Sequence, residues 1–236
     1  PILLGHESVG RVIRVGRQVR SFQVGDRVLR SNLRDEHVPY PGGRSRWGGF
    51  AERAIVTDAW AEQDQPYNAT PHPQQIVPTE IPPDEAVALI TLKETISCLG
   101  RSDVGPGQSL AIVGSGPVAQ ALVHVAKLSG IASVVVFGRR ARWAATFAQL
   151  EADAYVAAKE GPLEMAKVPP AARAILEAGG FDRVIEAVGS PAALARCLEV
   201  VRLEGRVNVY GVAPASAPYP EVAMADARVF RSRVVE

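Results

Sequence analysis

Two groups of residues in this chain have the types and spacing to do chemistry. The first is His6-Glu7 within Gly5-His6-Glu7-Ser8-Val9-Gly10. A neutral imidazole there can ligate a metal, and the adjacent carboxylate can tune charge beside the ion. The second is Gly114-Ser115-Gly116-Pro117-Val118-Ala119, set between the apolar run Leu110 to Val113 and the helix-like run Val118 to Leu128. Gly114 permits a tight strand-to-helix turn, and Gly116 lets the backbone approach a diphosphate. Pro117 and Val118 open a helix whose unpaired amides face the anion. Ala119 stands where a third glycine is usual, a position that needs only close helix-sheet packing. At the end of the next apolar run the chain reads Phe137-Gly138-Arg139-Arg140. An acid at that point would hold the ribose hydroxyls of NAD. Gly138 instead removes bulk, and Arg139 and Arg140 offer charge-assisted bonds to a ribose 2′-phosphate, so NADP is expected over NAD.

The elements that must position these groups are legible from periodicity. Residues 1 to about 60 alternate apolar and polar positions between glycines, with Val12, Val15, Val19 and Val28 reading as short half-buried strands. Prolines between Gln63 and Pro83 forbid long helices there, and an apolar helical face begins after Asp84 with Ala86, Val87, Leu89 and Ile90. From Ser109 onward, strand-like runs (Leu110 to Val113, Val134 to Phe137, Ala154 to Ala157, Val184 to Ala187, Arg206 to Tyr210) alternate with helical ones (Val118 to Leu128, Arg142 to Leu150, Pro191 to Arg202). That alternation implies an α/β fold, a doubly wound parallel sheet with helices on both faces. Gly189 and Gly211 each follow a strand, where carboxyl ends approach a dinucleotide.

Gly5-His6-Glu7 followed by Gly25-Asp26-Arg27-Val28, together with the glycine turn at Gly114, resembles the medium-chain dehydrogenase/reductase family, the zinc-type alcohol dehydrogenases. The resemblance implies a partial GroES-like catalytic domain over 1–92 and a Rossmann domain over 93–236, incomplete at its carboxyl end. It further implies that the chain is a piece of a longer protein. His6 is then a zinc ligand and Glu7 stands beside the metal. The run Ala88-Leu89-Ile90-Thr91 puts Thr91 at the position of another ligand and Thr95 on the cofactor side. A hydroxyl is a poor zinc ligand. Glu94, one helical turn on, could supply a carboxylate to the metal instead; without zinc, Lys93 could donate the proton, and Lys93 with Glu94 equally suits a helix-surface pair. The implied activity is hydride transfer between NADP(H), or NAD(H), and an alcohol or polyol. The alternatives are a zinc-free quinone or enone reductase and a nucleotide-binding protein without turnover. A homodimer or homotetramer is expected, with Val229 to Val235 as its edge.

Composition narrows the partners. The 236 residues are 47% hydrophobic and 22% charged with net charge +1, which offers no electrostatic case for nucleic acid or a membrane surface. No apolar run is long enough to span a bilayer, so a cytoplasmic setting and a small-molecule alcohol or carbonyl substrate are expected. Cys98 and Cys197 fall in apolar helical segments and read as buried thiols. Arg30 to Trp47 holds no cysteine, which excludes a four-cysteine zinc site in that lobe.

Overall fold

A computed structural model of the chain describes residues 5, 7–29, 50–56, 58, 75–212 and 228–231, the last four as backbone only. The chain divides into two compact units, Pro1–Lys93 with Val235–Glu236 and Glu94–Val234.

In the second unit, six strands form one parallel sheet: β3 (Ser109–Val113), β4 (Ser133–Gly138), β5 (Ala154–Ala157), β6 (Phe181–Glu186), β7 (Val201–Val209) and β8 (Arg228–Arg231). Their spatial order is β5-β4-β3-β6-β7-β8. The chain therefore runs outward from β3 to β5 and then returns to the other side of β3 as β6. That reversal opens a crevice at the carboxyl ends of β3 and β6, the usual ligand position in an open α/β sheet. Val134–Phe137 are buried on both faces, as a central strand covered by helices requires. Phe137 and Phe181 meet edge-to-face at 5.8 Å within this core.

The crossovers match the periodic runs. They are α3 (Pro117–Leu128), α4 (Ala144–Gln149, after a 3-10 turn at Ala141–Trp143), α5 (Pro170–Glu177) and α6 (Pro191–Val200). α5 was not legible as a separate run, because Pro169-Pro170 precedes only two helical turns; a proline at the first helical position is nonetheless well suited to start a helix. The strand expected over Arg228 to Val235 is described only as far as Arg231. Cys98 and Cys197 are free and buried, as read from their surroundings.

The first unit contains β1 (Val9–Arg11) paired antiparallel with β2 (Arg27–Leu29), a bridge from Val28 to Ile76, α1 (Pro83–Ala86) and the first residues of α2 (Ala88–Ser102). The alternation over Val12 to Val19 does not become strand. Val12 continues the β1–β2 pairing, donating to the Asp26 carbonyl at 2.8 Å and accepting the Gly25 amide at 2.9 Å, but Val15 is exposed and no strand pairs with residues 13–19 among the described residues. Arg27 compensates its burial by donating to the carbonyls of Ile81 and Pro78, both at 2.6 Å. Asp58 is likewise buried and accepts the amides of Arg20 and Ser21 and the Ser21 hydroxyl at 2.7–2.9 Å.

Candidate active site

The crevice at the carboxyl edge of the second unit's sheet holds a cavity of about 1220 Å³, larger than the ~300–1,000 Å³ of sites for drug-sized ligands. It brings together six of the residues picked out by motif: Gly114, Gly116, Pro117, Gly138, Arg139 and Arg140. Gly114 closes β3 with φ +136, and a Cβ there would press on the Ala187 carbonyl at 3.1 Å and Val188 at 3.2 Å. A side chain is thus refused both by conformation and by the neighbouring strand end. Gly116 is the N-cap of α3, with Pro117 as first helical residue, and nothing lies within 4 Å of the space above it. The first amides of α3, which have no partners within the helix, lie beside open space at the cavity wall. Ala119 is buried against the sheet. Val118, Gly189 and Gly211 are not among the residues lining the cavity; the two glycines follow the ends of β6 and β7.

The end of β4 decides what the cavity can read. A Cβ on Gly138 would run into the Tyr155 hydroxyl and come within 2.9 Å of Ser115 Cβ. Tyr155 is not free to yield. Its ring stacks on Phe147 at 5.3 Å and its hydroxyl donates to the Arg140 carbonyl at 2.8 Å. An acid at position 138 is therefore sterically excluded, while Arg139 and Arg140 stand exposed beside the gap. Arg139 pairs with Glu160 at 3.6 Å across solvent, a contact weak enough for a phosphate to replace. Lys159 also lines this end of the cavity.

Sequence reasoning missed Tyr155, Lys159, Arg196 and Ser190. Arg196 is buried and donates to the carbonyls of Lys159 (3.0 Å) and Gly161 (2.6 Å), while also pairing with Glu199, so it fixes the loop that walls the cavity. Ser190 caps α6 by accepting the Ala193 amide at 3.2 Å. The Ser190-Pro191 signature was present in the sequence; the roles of Tyr155 and Arg196 depend on strand and helix placement and carry no local signal.

His6 lies outside the described residues. In the first unit, the Thr91 hydroxyl donates to the Glu7 carboxylate, and Lys93 is exposed on α2. In the second unit, Glu94 accepts the Tyr210 hydroxyl at 3.0 Å and Thr95 is buried. Thr91 and Glu94 thus turn to separate partners. Among the described residues no three of His, Cys, Asp and Glu gather as a metal site.

Residues 117–235 match the zinc-binding dehydrogenase family, and residues 1–63 match the alcohol dehydrogenase GroES-like domain. The chain belongs to the zinc-binding dehydrogenase family. It is 27% identical to the NADP-dependent isopropanol dehydrogenase of Thermoanaerobacter brockii, over 89% of this chain and 61% of that protein. It is 26% identical to the sorbitol dehydrogenase of Bacillus subtilis (strain 168), over 90% of this chain and 59% of that protein. Among solved structures, it resembles an alcohol dehydrogenase from Thermus sp. ATN1 with a TM-score of 0.72 and 26% identity, over 99% of this chain and 70% of the other. The chain spans about three fifths of the length of these two curated relatives.

Proposed function

We propose that this chain is the coenzyme-binding part, with a share of the substrate domain, of an NADP(H)-preferring oxidoreductase acting on an alcohol or polyol or its carbonyl counterpart. The observation that carries the reading is the end of β4, where Tyr155 occupies the space an acid would need and Arg139 and Arg140 flank the gap. In this reading the amides at the start of α3 hold the diphosphate, and the two guanidiniums hold the 2′-phosphate as charge-assisted donors. When bound, the coenzyme supplies the hydride chemistry. The protein orients it against β3 and β6 and keeps water from the buried side of the crevice. The names of the isopropanol and sorbitol relatives support the substrate class, and that of the former supports NADP. Association through β8, the last strand in the order of the described sheet, belongs to the same reading.

Arg139→Ala with Arg140→Ala tests it. Loss of two charge-assisted contacts should weaken NADPH by about 100-fold or more, at ~1.5–3 kcal/mol each, and leave NADH within about threefold. Equal weakening of both coenzymes, read by fluorescence titration, removes the 2′-phosphate assignment.

A second reading is favoured by the hydrogen bond from Thr91 to Glu7: a zinc-independent reductase of an enone or quinone in which Lys93 donates the proton. A chelator separates the two in the full-length enzyme. Unchanged turnover supports the second reading, and a loss restored by added zinc eliminates it.

A further inference from the structure

Glu186 ends β6 with its side chain fully buried, and hydride transfer gives it no part. Its Oε1 accepts the amides of Val188 and Gly189, each at 2.8 Å. Its own carbonyl accepts those of Tyr210 and Gly211, at 3.0 and 2.9 Å. One residue therefore ties together the turn after β6 and the turn after β7.

Glycines let the two turns interlock. A Cβ on Gly189 would collide with the backbone of Val212, and a Cβ on Gly211 would stand 2.6 Å from Glu186 Oε2. That oxygen is buried without a hydrogen-bond partner. Burial pushes the carboxyl above its ordinary range, against the amides of Gly189, Val188 and Ser190, which draw it down. A group that costs this much to bury persists where it holds something in place. What it holds is visible directly above: Ala187, Val188 and Ser190 line the cavity, and Val188 keeps 49% of its surface open. With the 2′-phosphate end of a dinucleotide at β4 and its diphosphate at β3, the nicotinamide half would extend over the ends of β6 and β7.

We propose that Glu186 is a positioning residue: through the Val188 and Gly189 amides it fixes the turn after β6, and so governs the grip on the nicotinamide half of the coenzyme but not on the adenosine half. The inference rests on the coenzyme reading given above.

The test uses the full-length protein, Glu186→Leu and Glu186→Gln, two ligands (NADPH, and adenosine 2′,5′-bisphosphate as the half without nicotinamide) and amide hydrogen exchange at Val188 and Gly189. Glutamine keeps the Oε1 acceptor, so exchange and both affinities should stay within about twofold of the parent. Leucine fills the volume without an acceptor; exchange at the two amides should quicken about tenfold or more and NADPH weaken about tenfold, with the bisphosphate unchanged. Should Glu186→Leu not fold, Gly189→Ala displaces the same turn, and the same split between ligands is expected. Parent-like exchange and NADPH binding in the leucine variant overturn the proposal, as does equal weakening of both ligands. A parent that binds neither ligand sinks the coenzyme reading, and the exchange rates alone then decide whether Glu186 holds the turn.

Discussion

Giving position 138 the acid that NAD enzymes carry should fail unless Tyr155 is changed with it. In Gly138→Asp the new Cβ enters the space of the Tyr155 hydroxyl and the 2.9 Å approach to Ser115 Cβ. Overpacking of this kind costs about 1–3 kcal/mol. Displacing Tyr155 also breaks its 2.8 Å bond to the Arg140 carbonyl, worth about 0.5–1.5 kcal/mol, and loosens its stack on Phe147. The expected total is about 2–4 kcal/mol, which lowers the midpoint of thermal unfolding by roughly 5–15 °C for a unit of this size. Circular dichroism melts give the stability, and titrations with NADPH and NADH give the preference. The single variant should lose NADPH affinity without gaining NADH. Gly138→Asp combined with Tyr155→Ala should recover at least about 1 kcal/mol relative to additivity and turn the preference toward NADH. A single variant as stable as the parent that binds NADH more tightly would refute the claim that Tyr155 guards this position.

Two further outcomes follow from buried charge. Asp182 accepts the amide and hydroxyl of Ser109 at 2.8 Å and pairs with Arg202 at 2.9 Å. Burial alone would raise its pKa, but the Ser109 bonds and the Arg202 and Arg183 charges outweigh that and hold it below the ordinary value. Its stabilisation is therefore present above the ordinary aspartate value of about 3.9 and lost as pH falls below it toward the depressed value. Asp182→Asn should flatten the acid limb of the stability curve in urea titrations as pH falls below about 4, and an unchanged slope there would count against the assignment. Arg196→Met keeps the stem of the side chain but removes the bonds to Lys159 and Gly161. We expect a loss of about 1–3 kcal/mol and faster amide exchange over residues 159–163; parent-like exchange there would show that Arg196 does not anchor the loop.

The nucleotide unit was legible in sequence because its strands are buried on both faces and its helices on one. Val134 to Phe137 can only read as an apolar run, and Val118 to Leu128 only as a helical stripe, so strand ends and the Gly114 turn follow from the sequence alone. The first unit gave a weaker signal. Valines at 12, 15 and 19 alternate well enough for strand, yet only Val12 pairs, with Gly25 and Asp26, and Val15 stays exposed with no strand beside it among the described residues, because alternation records what a strand would bury and not whether a partner exists.

The site divides along the same line. Gly116 and Pro117 act through their own backbone, so local sequence discloses them. Gly138 could be read as a missing acid, but not as a position closed by Tyr155, since that depends on β5 lying beside β4 with Gly138 opposite Ala157. Glu186 is the extreme case. Its partners are the amides of 188, 189, 210 and 211, and only the pairing of β6 with β7 brings the two turns to a single carboxyl-bearing residue. In linear order it is one acid closing an apolar run. In the fold it bonds to both turns, and a Cβ on Gly211 would stand 2.6 Å from its Oε2, so Gly211→Ala is expected to weaken NADPH in a fluorescence titration although Gly211 does not line the cavity, and parent-like binding would count against Glu186 linking the turn after β7 to coenzyme binding.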